Sequence, residues 1–209
     1  QKPISVVGAG RTDAGVHARQ LFAHVDLDDQ VDQNLKFRLN KLLPKEIAVN
    51  SILAVTDDAH ARFDATGRRY SYHITTQKDP FLKKRSYYFS KTLDIELMNQ
   101  AATDMLDHDD FKCFSKSRTD VKTYLCDIQE AYWEQNGSDL VFFIQANRFL
   151  RNMVRAIVGT LIEVGLKKIS IDDFKSILLS RDRSKAGYSV PAHGLYLEKV
   201  YYPKHIFAV

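Results

Sequence analysis

The chain has 209 residues, of which 44% are hydrophobic and 27% are charged, and its formal net charge is +4 at pH 7. This composition is typical of a globular protein with a buried core, and no run of residues approaches the ~20 apolar residues that a membrane-spanning helix needs. The two cysteines, Cys113 and Cys126, form no Cys-x-x-Cys pair, and no histidines are clustered at zinc spacing. The sequence therefore predicts free thiols in a reducing, cytoplasmic compartment, with no metal or other cofactor.

The first half of the chain contains two short strand-like runs, at residues 4–9 and 21–27, which are separated by a glycine-rich loop. Residues 32–43 have a helical apolar period that Pro44 closes, and residues 47–55 are predicted to form another strand. In residues 69–75, the large apolar side chains of Tyr70, Tyr72 and Ile74 alternate with the more polar ones of Ser71, His73 and Thr75. This alternation predicts a half-exposed strand. Residues 94–106 are predicted to form an amphipathic helix.

The second half begins with a predicted hairpin, in which residues 124–134 and 140–146 flank the turn signal Asn136-Gly137. Residues 150–164 repeat apolar side chains at helical spacing and end at Gly165, as a core helix does. A shorter helix at 172–179 and a final strand at 195–202 follow. Hairpin-linked strands mixed with separate helices predict an α+β fold with a mainly antiparallel sheet.

Positive charge is concentrated between residues 62 and 91, where eight Lys or Arg residues stand against two acidic ones. Aromatic residues are interleaved with this charge, among them Tyr70, Tyr72, Phe81, Tyr87, Tyr88 and Phe89. Such a segment suits a surface that neutralises phosphates and stacks on bases. It suits equally a solvated pair of strands with tyrosines packed beneath, so both interpretations stay open at this point.

The glycine-rich loop is the densest local signal, and residues 7–17 read VGAGRTDAGVH. A dinucleotide-binding GxGxxG loop would need glycine at position 13, where Asp13 stands, and no GK[ST] follows to make a phosphate-binding loop. The loop instead presents Arg11 and Asp13 two residues apart, with His17 beyond them. The segment alone is compatible with a chemical role for Asp13 or with an aspartate that caps its own turn.

The string GAGRTDAGVHA at residues 8–18 resembles the signature of the tRNA pseudouridine synthase A (TruA) family. Further segments resemble family motifs in the family's order: ARF at 61–63 with RYSY at 69–72, CFS at 113–115, FLRNMVR at 149–155 with IVGTL at 157–161, and PAHGLYL at 191–197. The resemblance implies an isomerase that converts uridine to pseudouridine at positions 38 to 40 of the tRNA anticodon stem-loop. It also implies a homodimer whose two subunits both touch one tRNA. The lack of a membrane-spanning run separately predicts no membrane partner.

The fold implied by the resemblance is a pseudo-symmetric, two-lobed α+β fold with a central antiparallel sheet and flanking helices. Residues 1–91 are expected to form the N-terminal lobe and residues 92–209 the C-terminal lobe of one continuous catalytic domain. The family has a strand and a helix upstream of the aspartate motif, and these are expected to be absent from this chain.

By resemblance, Asp13 is the nucleophile, Arg155 its ion-pair partner, and Arg11 the residue that fills the stack when the uridine is flipped out. Tyr70 is the companion of the flipped base, either stacking on it or handling a proton. The residues alone also allow a helix-surface Arg155, a surface ion pair of Arg11 and a core Tyr70. Candidates for phosphate contacts, several of which will be solvated charges, are Arg62, Arg68, Arg69, Lys83, Lys84, Arg85, Arg148 and Arg151.

Two other functions are open. A catalytically incomplete, RNA-binding fragment would bind tRNA without converting it. A hydrolase using Asp13 and His17 is weakly supported, because no second carboxylate or metal-binding set lies nearby in the sequence. His17, His24 and His193 are expected to be hydrogen-bonding residues of loops or core, not acids or bases.

Overall fold

The computed structural model describes residues 3–28, 31–116 and 121–207. The chain folds into two compact units, one formed by residues 1–10, 22–65 and 202–209 and the other by residues 11–21 and 66–201. The strands are β1 (Val7–Gly8), β2 (His17–Ala18), β3 (Ala23–His24), β4 (Gly67–Thr75), β5 (Tyr87–Tyr88), β6 (Ile128–Asn136), β7 (Asp139–Ala146) and β8 (Leu195–Tyr201). The helices are α1 (Leu35–Leu42), α2 (Ile95–Thr103), α3 (Met153–Gly165) and α4 (Ile171–Ser180). The lobe boundary expected between residues 91 and 92 stays a prediction.

The smaller unit contains a two-residue antiparallel pairing of β1 with β3 and the helix α1. Residues 47–55, all of which the structure describes, form no strand; their one β-bridge joins Val55 to Phe207. The prediction of a strand there is therefore wrong. The side chain of Asn40 bonds both backbone groups of Val49, accepting from its N–H at 2.7 Å and donating to its carbonyl at 2.9 Å. Backbone groups that bond a side chain are not available to pair with a neighbouring strand, so the apolar run at residues 47–55 stays irregular.

The larger unit is built on one sheet with the strand order β2-β8-β4-β7-β6, and β5 also pairs with β4. The pairs β4–β7, β4–β8 and β6–β7 are antiparallel, whereas the two-residue strands β2 and β5 pair in parallel. The predicted α+β class with a mainly antiparallel sheet is therefore confirmed. The β6–β7 hairpin turns at Gly137, whose φ of +58° explains why glycine stands there.

β4 is the central strand of this sheet, and the expectation of a half-exposed strand is wrong for it. Tyr72 and Ile74 are buried on one face, and Ser71 and Thr75 are buried on the other. Both edges of β4 are paired, and on the second face the Ser71 hydroxyl donates to Glu198 of β8 at 2.5 Å. Alternation of residue type therefore does not translate into alternation of exposure. The Tyr72 hydroxyl donates to the carbonyl of Pro191 at 2.8 Å, as a buried phenol should.

The predicted helices at 94–106, 150–164 and 172–179 are confirmed as α2, α3 and α4. Asp94 caps α2, and Ser170 with Asp173 forms a capping box at the start of α4. α3 is the core helix and starts three residues later than predicted, because Asn152 adopts the left-handed conformation with φ +67°. Across the described residues, none of the helices has the length and apolar character that crossing a membrane requires.

Candidate active site

Asp13 lies in a tight turn that is anchored by the strand after it. The N–H of Val16 donates to the carbonyl of Asp13 at 3.1 Å, and Gly15 has φ +87°, which an L side chain rarely adopts. β2 follows at once and pairs with β8, and the N–H of Arg19 then bonds the carbonyl of Leu197 at 2.9 Å. Gly15 is therefore needed to turn the chain beside the sheet, which fixes the position of the Asp13 carboxylate.

The structure brings Asp13 and Arg155 together from positions far apart in the sequence. Nη1 of Arg155 donates to Oδ2 of Asp13 at 2.6 Å, and Nε of the same guanidinium donates to the carbonyl of Val190 at 2.7 Å. The side chains of Arg155 and Asp13 are 19% and 33% exposed. A guanidinium held at two points on a core helix fixes its direction, so the carboxylate has a defined orientation and a compensated charge while still meeting solvent.

The ion pair borders a small recess of about 60 Å³. Its other walls are mostly apolar and come from the loop, the sheet and the start of α3: Thr12, Val16, Tyr70, Phe149, Leu150, Asn152, Met153, Val154 and Leu195. An apolar wall next to one fixed carboxylate suits a flat ring that is to be held against a charged group.

Tyr70 enters this recess from β4. Its ring packs edge-to-face on Phe149, with 5.1 Å between the centroids. Burial raises the pKa of the Tyr70 phenol, and the nearby Arg68 opposes that shift only in part. The hydroxyl therefore stays protonated at neutral pH, where it can donate a hydrogen bond and present a ring face but does not act as a base.

A wider cavity of about 540 Å³ shares Asp13, Asn152 and Arg155 with the recess. Its remaining lining is polar and basic: Lys116, Arg183 and Ser189. The volume lies within the ~300–1,000 Å³ typical of ligand sites. A ligand with a flat ring at one end and negative charge at the other would match the apolar recess and the cationic cavity together.

Sequence reasoning missed four residues that line the wider cavity: Lys116, Asn152, Arg183 and Ser189. Asn152 donates to the Ser189 hydroxyl at 2.6 Å, and Arg183 donates to the same oxygen at 3.0 Å. The available signals were weak, namely an asparagine inside a motif segment and an arginine in the loop just before the C-terminal motif. Neither residue type nor spacing shows that these side chains converge on one hydroxyl.

The other predicted residues near Asp13 are placed as follows. Arg11 is exposed on the same loop, two residues before Asp13. Arg151 is exposed and Arg148 is half-buried, and both belong to the segment that carries Phe149 and Leu150 into the recess. Nη1 of Arg148 also donates to the carbonyl of Thr123 at 3.5 Å.

The remaining candidates for phosphate contacts fall into different environments. Arg69 pairs with Glu130 at 2.9 Å and lies over the ring of Phe143 at 4.8 Å from its centroid, so its charge is already compensated. Nη1 of Arg68 donates to the carbonyl of Asn147 at 3.2 Å. Lys83, Lys84 and Arg85 are exposed in the connection between β4 and β5. In the smaller unit, Arg62 is exposed and lies 5.5 Å from the ring centroid of Phe63.

Two of the predicted histidines have hydrogen-bond partners that suit structural roles, and both cysteines are buried. Nε2 of His17 lies 2.8 Å from the carbonyl of Lys84, and Nδ1 of His24 accepts from the N–H of Ala61 at 3.0 Å. His193 lies in the 3₁₀ turn Ala192–Gly194. Cys113 and Cys126 are buried free thiols, and burial raises their pKa to about 12 and about 11. In the ranges that the structure describes, no three His, Cys, Asp or Glu side chains are grouped as a metal site would require.

Comparison with known proteins supports the resemblance carried by the motifs. A family model described as tRNA pseudouridine synthase matches residues 101–203. The tRNA pseudouridine synthase A of Parabacteroides distasonis is 53% identical over 209 residues, which is 99% of this chain and 83% of that protein. The protein of the same name from Porphyromonas gingivalis is 53% identical over 99% of this chain and 84% of its own. The one from Bacillus subtilis is 41% identical over 95% of this chain and 82% of its own.

Proposed function

The chain belongs to the tRNA pseudouridine synthase A family, and we propose that it isomerises uridine to pseudouridine in the anticodon stem-loop of tRNA, at positions 38 to 40. The observation that carries the proposal is the ion pair between Asp13 and Arg155, which borders both the apolar recess and the cationic cavity. This arrangement offers one oriented carboxylate to a ring and positive charge to the nucleotide's phosphate.

In the proposed reaction, the Asp13 carboxylate attacks the flipped uridine and forms a covalent adduct, at C6 of the base or at C1′ of the ribose. The bond between N1 and C1′ breaks, and after the base has turned, a bond forms between C5 and C1′. The hydrogen on C5 leaves as a proton, N1 gains a proton, and the carboxylate is released. No atoms are gained or lost overall, so the residues need only supply a nucleophile, orientation and proton handling.

Arg155 is proposed to hold the carboxylate aimed into the recess, because its guanidinium bonds both Asp13 and the carbonyl of Val190. Tyr70 is proposed to support the flipped base with its ring. Because the pKa of its phenol is raised by burial, any proton role it has at neutral pH is as a hydrogen-bond donor.

A uridine stacked in an RNA stem is out of reach of a carboxylate at the mouth of a recess, so the base must be extruded, at a cost of about a few kcal/mol. Arg11 is exposed on the loop that carries Asp13, and we propose that its guanidinium fills the space the base leaves. Arg148 and Arg151 lie in the segment that lines the recess, and we propose that they contact neighbouring phosphates. Lys83, Lys84 and Arg85 add exposed charge to that RNA-binding role.

Assembly and location complete the proposal. We propose a homodimer in which one tRNA contacts both subunits, which light scattering with and without tRNA would test by mass. We propose a cytoplasmic enzyme, because tRNA is the substrate and because both cysteines are free and buried, as is usual in a reducing compartment. A monomer that binds one tRNA with full activity would remove the dimer from the proposal.

The proposal is tested by incubating the protein with an unmodified tRNA transcript that has uridines at positions 38 to 40 and mapping pseudouridine at single-nucleotide resolution. Conversion is expected in the anticodon arm, and a matched transcript with cytidines at those positions should show none there. Conversion elsewhere in the tRNA would overturn the assignment of the site. Binding of tRNA without any conversion would favour the RNA-binding alternative, and conversion that EDTA leaves unchanged would argue against a metal-dependent reaction.

A further inference from the structure

The loop before β8 contacts Arg155 through its backbone. The carbonyl of Val190 accepts from Nε of Arg155 at 2.7 Å, and the N–H of Val190 donates to the carbonyl of Arg155 at 3.2 Å. One residue earlier, the hydroxyl of Ser189 accepts from the side chain of Asn152 at the start of α3. The position of residues 189 and 190 therefore decides where the guanidinium of Arg155 points.

Arg183 forms three hydrogen bonds within this loop. Its Nη1 donates to the carbonyls of Ala186 at 3.2 Å and Gly187 at 3.0 Å, and its Nη2 donates to the hydroxyl of Ser189 at 3.0 Å. The side chain is half-buried, and its own turn is capped by Asp182, which accepts from the N–H of Ser184 at 2.9 Å. Three hydrogen bonds from one planar guanidinium to one loop give the loop a single conformation.

The same loop is docked closely on α3. The hydroxyl of Thr160 accepts from the N–H of Gly187 at 2.9 Å and donates to the carbonyl of Ala156 at 2.8 Å. A Cβ added to Gly159 would lie 2.9 Å from the carbonyl carbon of Tyr188 and closer still to its oxygen. The loop is thus fixed against the helix that carries Arg155, and Arg183 fixes its shape.

We propose that Arg183 is a positioning residue, which holds the loop at residues 186–190 so that the Val190 carbonyl aims the Arg155 guanidinium at Asp13. The inference rests on the proposed function for its meaning, since what is positioned is the partner of the nucleophile. Arg183 acts through hydrogen bonds to two carbonyls and one hydroxyl, so its shape matters as much as its charge. Arginine supplies a fork of donors that one ammonium or one amide cannot reproduce.

The competing role for Arg183 is a direct phosphate contact, because it also lines the wider cavity. The two roles predict different measurements. Loss of a phosphate contact weakens tRNA binding and lowers its dependence on salt by about one ion. Loss of positioning slows the chemical step and leaves affinity and its salt dependence as they are.

The test is a single-turnover measurement of pseudouridine formation on the tRNA transcript, with the dissociation constant measured in parallel at several salt concentrations. Arg183→Gln is expected to lower the rate constant about 10- to 100-fold, with the dissociation constant changed less than about twofold. Arg183→Lys should recover part of the rate, and Lys185→Gln, which removes an exposed charge from the same turn, should match the wild type. An unchanged rate constant, or a loss confined to affinity and salt slope, would overturn the proposal.

Two further measurements cover the remaining outcomes. Should Arg183→Gln fail to fold, Ser189→Ala keeps the cation and removes one acceptor, and a smaller loss of the same kind is expected, whereas wild-type rates would contradict positioning. Should the wild-type protein itself convert no tRNA, the proposed function fails, and nitrogen-15 spectra of the arginine Nε–H groups still test the inference. The Arg155 signal, assigned with Arg155→Lys, should be protected in wild type and exchange faster in the Arg183 or Ser189 variant, and an unchanged signal would refute positioning.

Discussion

Gly159→Ala tests whether the loop before β8 governs catalysis from a buried position that touches no substrate. Gly159 lies on α3 under the backbone of Tyr188, and an added Cβ would be 2.9 Å from the carbonyl carbon, whereas ordinary contact begins at 3.4 Å. The overlap with the carbonyl oxygen is deeper, so the loop must move away by on the order of 1 Å. A displacement of this size lowers a catalytic rate about 100-fold. Val190, two residues further on, would carry this movement to Arg155.

The assay is the single-turnover rate of pseudouridine formation, combined with thermal unfolding and tRNA affinity. Gly159→Ala should cost about 1–3 kcal/mol of stability by overpacking, offset in part by the better helix propensity of alanine, about 1 kcal/mol. The rate constant should fall about 100-fold while the affinity for tRNA is retained.

Gly165→Ala is the matched control, because it overpacks the C-terminal end of the same helix. Its Cβ would meet Sδ of Met98 at 2.5 Å, and the flexible methionine side chain can move aside. We expect a stability loss without a catalytic one. Equal rates for Gly159→Ala and wild type, in a folded protein, would refute the idea that this loop sets the geometry of Arg155.

Four other predictions concern the site and the cysteines. Arg155→Lys should lower the single-turnover rate about 10- to 100-fold, because one ammonium cannot reach both acceptors of the guanidinium. Arg11→Ala should reduce the single-turnover rate much more than tRNA affinity, because flipping follows binding. Cys113 and Cys126 have pKa values raised by burial from 9.0 to about 12 and about 11, so both should resist iodoacetamide at pH 8 in the native protein. Above pH 9.0 the thiols ionise in the unfolded chain but stay protonated in the folded one. The free energy of unfolding should therefore fall as the pH rises above that value.

The two substitutions and the alkylation each have a clear contrary result. Full activity of Arg155→Lys would show that the hydrogen bond to the Val190 carbonyl is not needed for the reaction. Equal losses of rate and affinity in Arg11→Ala would indicate a simple phosphate contact. Alkylation of the native protein as fast as in urea, measured by mass spectrometry, would show that the thiols are accessible, with cysteine-to-serine variants as the control for site assignment.

The sequence predicted best those elements whose signals are local. α3 follows from apolar residues at helical spacing up to Gly165, and the β6–β7 hairpin follows from Asn136-Gly137. The irregular segment at 47–55 could not be predicted, because its strand-like composition says nothing of the Asn40 side chain that bonds Val49. The burial of β4 likewise depends on what covers its second face, which is information from distant parts of the chain.

The site divides in the same way. The turn at Asp13 is indicated by Gly15, yet no local signal shows that Arg155, from a helix far along the chain, pairs with Asp13. That pairing was expected only through the family resemblance. Arg183 and Ser189 were missed because they act on backbone carbonyls and on one shared hydroxyl. Such contacts have no residue pattern, and only coordinates reveal them.

The central claim is that the Asp13 carboxylate, paired with Arg155, is the group that reacts with the flipped uridine. Asp13→Asn keeps the size of the side chain and removes the nucleophilic charge, so its single-turnover conversion of the tRNA transcript tests that claim most directly. The account predicts tRNA binding close to that of the wild type and no pseudouridine at any position after prolonged incubation. Conversion at an undiminished rate would show that another group performs the chemistry.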